Sequence, residues 1–195
     1  MKPHRSHFKL CKILPVLAML FLFSTTYGQK LGEDWKQELT TSMEQFLDCI
    51  KTTEDNLHCS TFIGESLTNV YDLDDFYSEK GKRYLMIHEI SQTLIDNGKW
   101  TLLGRGYDQE ALLEAQNRAN ANKAVVAIYN GSAGVGHIAL ILPGEAVPSG
   151  TWGFNVPNSA SFFLHEPGKS YVGKGLSYAF GKSMIKDVLL YSRNY

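Results

Sequence analysis

Charge of one sign is what this sequence most plainly lacks. Nineteen Lys and Arg stand against 20 Asp and Glu, for a formal net charge of -1, and neither sign forms a long run. Without a basic stripe there is nothing to hold a polyanion, so nucleic acid is excluded as the expected partner. Internal repeats and low-complexity tracts are also missing, which excludes solenoids and linker-like chains. Two familiar motifs are incomplete. His88-Glu89 opens a zinc-helix pattern, but Gln92 stands where the second histidine belongs, and His58 and His165 share no ligand spacing with His137. No metal site is expected. The glycine-rich stretch from Gly131 to Gly136 lacks the Lys-Ser/Thr pair and the following helix of a phosphate loop, so it reads as a hairpin loop, and no organic cofactor is implied.

Long hydrophobic runs are limited to one, Ile13 to Phe23, preceded by Lys2, His4, Arg5, Lys9 and Lys12 and followed by Ser24-Thr-Thr-Tyr-Gly28. The run is shorter than the ~20 residues a membrane helix needs. A charged region, a short apolar region and a small-residue stretch form a secretory leader, so residues 1–28 are expected to be a signal peptide. An uncleaved anchor is the competing reading. Residues 29–195 then form one domain, within the ~100–200 residues common for a single core. The mature protein is expected to be secreted or periplasmic, with no stable membrane insertion.

Cysteine is scarce too: Cys11, Cys49 and Cys59 are the three present. Cys11 precedes the apolar run, where a lipoprotein cysteine does not lie. In an exported chain Cys49 and Cys59 raise the possibility of one disulfide. The helical spacing from Phe46 to Ile50 favours a free Cys49 on a helix face.

What is present is a change of period along the chain. Trp35, Leu39, Met43, Phe46, Leu47 and Ile50 recur at helical spacing, and a second helix starts at or near Cys59, with Phe62, Ile63, Leu67 and Val70. Leu85 to Ile95 predicts a third, stopped by Asn97-Gly98, and Asp108 caps a fourth through Ala119. Short β-rich runs follow at Ala124–Tyr129, His137–Leu142, Thr151–Val156, Ser161–Leu164 and Met184–Tyr191, separated by Gly and Pro. Ser170 to Lys182 reads as a short helix or a substrate-side loop. Helices first and strands afterwards, with no βαβ alternation, predict an α+β domain: N-terminal helices packed on a C-terminal antiparallel β-sheet.

A cysteine at a helix N-terminus feels unpaired N–H groups and the positive end of the helix dipole, which favour thiolate. Cys59 has that placement. An imidazole on a rigid strand is a suitable proton acceptor, and His137 opens one. Cys59-Ser-Thr-Phe-Ile63 and Gly136-His-Ile-Ala-Leu-Ile-Leu-Pro-Gly144, with Lys123-Ala-Val-Val-Ala-Ile128 between them, resemble the papain-like NlpC-type and CHAP-type cysteine hydrolases of bacterial cell walls. The likeness covers roughly residues 56–145. It implies a papain-like fold, Cys59 as nucleophile, His137 as base, and a polar residue on the next strand orienting the imidazole. Asn155 is the first choice for that residue and Asn158 the second. The family commonly has Asp just before the nucleophile, where this chain has His58.

By resemblance the substrate is a peptidoglycan stem peptide, cut at an amide through a thioester, with a backbone N–H near Cys59 holding the oxyanion. Trp100 and Trp152 are candidates for lining the cleft, although core packing is open to each. The cluster of Asp72, Asp74 and Asp75 is either an amine-binding patch or a solvated turn. Two other functions stay open: a secreted binding module on the same scaffold, which a Cys49–Cys59 disulfide favours, and a Cys–His acyltransferase.

Overall fold

The computed structural model describes residues 31–32, 34–54, 57–131 and 136–195. The signal peptide expected over residues 1–28 lies outside them. Among the described residues no helix is long and apolar enough to cross a membrane.

Among the described residues four α-helices form where apolar residues recur at helical spacing: α1 (Trp35–Thr52), α2 (Phe62–Tyr71), α3 (Ile87–Asp96) and α4 (Gln109–Asn120). A 3-10 turn, His58–Thr61, leads directly into α2. Asp108 caps α4 as its sequence position predicts, accepting from the N–H groups of Glu110 and Ala111. Glu89 caps α3 from within. It accepts from the Met86 N–H at 2.7 Å, and the Arg83 guanidinium clasps it at 2.7 and 2.8 Å. Those bonds hold its carboxyl down to about 2.

Among the described residues there are ten strands. β1 (Tyr77–Ser78) and β2 (Arg83–Tyr84) make a small hairpin between α2 and α3. The remaining eight are β3 (Trp100–Arg105), β4 (Val125–Asn130), β5 (Gly136–Ile141), β6 (Val147–Ser149), β7 (Phe154–Val156), β8 (Asn158–Ser161), β9 (Tyr171–Gly175) and β10 (Val188–Arg193). Six of them build one antiparallel sheet in the order β3-β10-β4-β5-β8-β9, and β6 pairs with β7 outside it. The α+β class expected from the segregation of periods is therefore the observed one.

Three differences have physical causes. β3 lies between α3 and α4, ahead of the expected strand region, because its sheet partner is β10 at the far end of the chain. Ser170 to Lys182 is the edge strand β9 followed by 3-10 turns, where glycines interrupt any helical period. The expected run Ser161–Leu164 is strand only at its start, since β8 begins earlier, at Asn158.

Both faces of the sheet are covered. Val126, Ile128, Ile138 and Leu140 face a core shared with Leu39, Phe46, Ile63, Leu67 and Ile90 of α1 to α3. Val125, Ala127, Ala139 and Ile141 face a second core with Leu112 and Ala115 of α4 and with Leu176 and Phe180. Central strands buried on two sides need apolar residues at every position. That is why β4 and β5 read as continuous apolar runs.

Glycine is required at two close approaches. A Cβ on Gly104, whose φ is +150°, would lie 2.6 Å from the Ala111 Cβ of α4, and one on Gly136 would lie 2.9 Å from Ile87 Cγ2 of α3. The second contact brings the start of α3 down onto the first residue of the His137 strand.

Candidate active-site cleft

Where β5 begins, α3, the turn ahead of α2 and the segment after β9 leave a cleft of about 640 Å³. His137, Phe163 and Phe180 line it from the sheet side, and Leu57, Ser60 and Ile87 from the helix side. The exposed side chains of Leu57 and Tyr178 belong to the same cleft. Its polar groups include a Glu166–Lys169 ion pair of 2.6 Å. A mostly apolar concavity with a few polar groups is the form that small-molecule and peptide sites take.

His137 is held on three sides. Its ring packs against Phe163 with centroids 4.4 Å apart and against Phe180 at 5.3 Å. Its Nε2 lies 2.7 Å from the Ser161 Oγ. Ser161 is on β8, in register with Ala139, so its side chain leaves the sheet on the same face as His137. The Ser161 hydroxyl also has a long bond to the Ile138 carbonyl, 3.5 Å. With its proton turned there, the oxygen accepts from Nε2–H, and the ring keeps its lone pair on Nδ1. Burial pushes the imidazole down to about 4, so the ring is neutral near pH 7, with a lone pair to offer but less basic than a free imidazole.

The sequence candidates for the orienting role are placed elsewhere. Asn155 is exposed on β7, where its N–H donates to Gln109 Oε1 at 2.9 Å and its carbonyl accepts from Gln109 Nε2 at 2.9 Å. Asn158 Nδ2 donates to the Pro143 carbonyl at 2.9 Å, and its N–H donates to Gln116 Oε1 at 2.8 Å. Asn155 is tied in through its backbone and Asn158 through its side chain and N–H, and it is Ser161 that meets the imidazole. The available signal was the run beginning at Ser161: a hydroxyl opening an otherwise apolar strand stretch, on the strand that pairs with β5.

Trp100 and Trp152 are core residues outside the cleft. The indole N–H of Trp100 donates to Asp75 Oδ2 at 3.1 Å and its ring packs on Phe76, while Trp152 donates to the Phe180 carbonyl at 3.0 Å. Each buries its large apolar body and satisfies its one donor, as an interior indole must. Of the Asp cluster, Asp75 is buried and bonded to Arg193, Lys99 and Trp100, and the amine it holds is the protein's own. Residues Ser177 to Gly181, inside the segment read as a short helix or a substrate-side loop, do line the cleft.

Cys59 is the largest departure from expectation. Its sulfur is fully buried and bonded to Cys49, so the free Cys49 favoured by helical spacing is corrected to a disulfide partner. The end of α1 and the turn ahead of α2 are brought together, with the two Cα atoms 6.1 Å apart, and the side chains reach each other across that gap. Cys59 does not itself line the cleft, although Leu57 and Ser60 around it do. The Ser60 hydroxyl is buried and has no hydrogen-bond partner among the described residues. A bound ligand would supply one.

His58 Nε2 lies 3.2 Å from Cys49 Sγ and 3.8 Å from Cys59 Sγ. The three donor atoms fall within 4.8 Å of one another. A soft divalent metal needs thiolates, and a disulfide offers none, so this oxidised trio does not suit one. The disulfide is compatible with the oxidising compartment of a secreted or periplasmic protein. No protein-family model and no curated protein matches the chain.

Proposed function

We propose that the chain is a secreted or periplasmic cysteine amidase or endopeptidase, held in an oxidised form, with peptidoglycan stem peptides as its substrate class. The observation that carries this reading is the pinning of His137 by Ser161 in the cleft that Leu57 and Ser60, the neighbours of Cys59, also line. One ring nitrogen is engaged by an orienting hydroxyl and the other is left for proton transfer, as a general base requires. The motifs Cys59-Ser-Thr-Phe-Ile63 and Gly136-His137 support the same roles by resemblance.

His137 faces the Phe180 side of the sheet and Cys59 the α1–α3 side, so in the reduced protein the freed Cys59 sulfur must move out of its core, past the start of β5, into the cleft. The thiol gives its proton to His137 Nδ1 and the sulfur attacks the amide carbon. The imidazolium returns that proton to the departing amine as the C–N bond breaks, leaving a thioester on Cys59. Water, deprotonated by the same nitrogen, attacks the thioester, and the acid leaves as Cys59 recovers its proton.

Digestion of purified peptidoglycan tests this, using wild type with and without dithiothreitol beside Cys59→Ala and His137→Ala, with the released fragments identified by mass. Stem-peptide fragments are expected from reduced wild type alone. Equal release by Cys59→Ala, or none from reduced wild type, overturns the reading.

The disulfide itself favours the second reading, a secreted binding module on the same scaffold. Binding of muropeptides by the oxidised protein, with no turnover after reduction, is the result that selects it.

A further inference from the structure

We propose that Cys49 Sγ is an entry point for thiol–disulfide exchange, through which a dithiol donor frees Cys59, with His58 serving both sulfurs. This goes beyond the proposed hydrolase activity. Its meaning as a release of the nucleophile rests on that reading, but the exchange chemistry does not.

The two sulfurs differ in access. Cys59 is fully buried, whereas Cys49 is partly exposed on the outer end of α1. An incoming thiolate must approach the sulfur it attacks from the side opposite the bond that breaks, so Cys49 is the sulfur within reach and Cys59 is the leaving group. Cys59 suits that role. It is the second residue of the helical run from His58 to Tyr71, whose unpaired N–H groups lower the cost of the departing thiolate. A lower leaving-group pKa speeds exchange.

The position before Cys59 adds the third observation. A carboxylate there would repel a developing thiolate. The imidazole of His58 instead reaches both sulfurs, at 3.2 and 3.8 Å, and is placed to deliver a proton to whichever one leaves. Because His58 is exposed, it exchanges that proton with water.

The step balances with a dithiol as the reductant. Its first thiolate attacks Cys49 Sγ, the Cys49–Cys59 bond breaks, and the electron pair passes to Cys59 Sγ, which takes a proton by way of His58. The donor's second thiolate then attacks its own sulfur in the mixed disulfide. Cys49 leaves and is protonated, and the donor ends as a disulfide, two electrons poorer.

A monothiol stops the sequence halfway and shows which sulfur was attacked. The folded oxidised protein is treated briefly with glutathione, quenched with N-ethylmaleimide and mapped by peptide mass. Glutathione on Cys49 with maleimide on Cys59 is expected. Glutathione on Cys59, or no adduct until denaturant is added, overturns the proposal. His58→Ala, with its fold checked by circular dichroism, should slow adduct formation on the order of tenfold, and an unchanged rate removes His58 from the mechanism. If the adduct forms on Cys49 but fully reduced protein leaves peptidoglycan intact, the exchange site stands and the hydrolase reading fails.

Discussion

Ser161 Oγ and His137 Nε2 are 2.7 Å apart across adjacent strands, and the side chains share one face of the sheet. Replacing Ser161 by Ala leaves the imidazole free to rotate between its two aromatic neighbours. On the proposed hydrolase reading, Ser161→Ala in the reduced protein should lower kcat on the order of tenfold to a hundredfold, a part of the ~10²–10⁴ a positioned base supplies, with KM little changed. Ser161→Thr keeps the hydroxyl and should recover most of the loss. Steady-state kinetics on a soluble stem peptide separate the two parameters.

Acid should weaken the fold in two stages. His137 has its folded value pushed by burial from 6.5 to about 4, so the unfolded chain binds the extra proton first. Its contribution is complete above about pH 6.5 and is lost as the pH falls toward about 4, at most about 3 kcal/mol in all. Asp75 acts lower down. Burial raises its carboxyl, but hydrogen bonds from Arg193 and Lys99 outweigh that and hold it below its ordinary 3.8. Its contribution is present above that ordinary value and fades as the pH drops further. Urea denaturation midpoints across pH 3–8 should fall first in the histidine window, and His137→Phe should remove that first fall.

Asp75 joins distant parts of the chain. Its Oδ2 is 2.5 Å from Arg193 Nε and its Oδ1 3.0 Å from Lys99 Nζ, so the turn after α2 is tied to both β10 and the start of β3. Asp75→Ala leaves the buried Arg193 guanidinium without its partner and should cost roughly 3 kcal/mol, near the lower end for breaking a buried pair. Calorimetry of Asp75→Ala should show a clear drop in Tm, while Lys99→Ala, at an exposed nitrogen, should shift it little.

Gly136→Ala presses a methyl group to 2.9 Å from Ile87 Cγ2. A cost of roughly 1–3 kcal/mol is expected, as for other overpacked sites. The double variant with Ile87→Ala should be less destabilised than the sum of the two single ones, because the clash then has no second partner. A thermal-unfolding cycle of the four proteins measures this.

The features legible in the sequence were those set by local periodicity: the stripes that became α1 to α4, the Asp108 cap, and the apolar runs of β4 and β5. The features that were not legible depend on pairing between distant residues. β3 becomes strand because β10 returns to lie beside it, and nothing near Trp100 announces that. The Ser161 contact was not legible for the same reason, since whether Asn155, Asn158 or Ser161 meets His137 is a matter of register, and the first of them lies on the separate β6–β7 ribbon. Helical spacing placed Cys49 on a face of α1 but could not say that the turn ahead of α2 folds back against that face.

The place of β10 between β3 and β4 has a consequence for how the chain reaches this form. Residues 188–193 hydrogen-bond to both neighbours, so until they are in place β3 stands alone and the four strands β4, β5, β8 and β9 have an open edge at β4. Closure of the six-stranded sheet therefore depends on a segment far along the chain from both of its neighbours. A chain cut short before Val188 would leave β4 with a newly exposed edge and β3 unpaired, a form fit for clearance or aggregation.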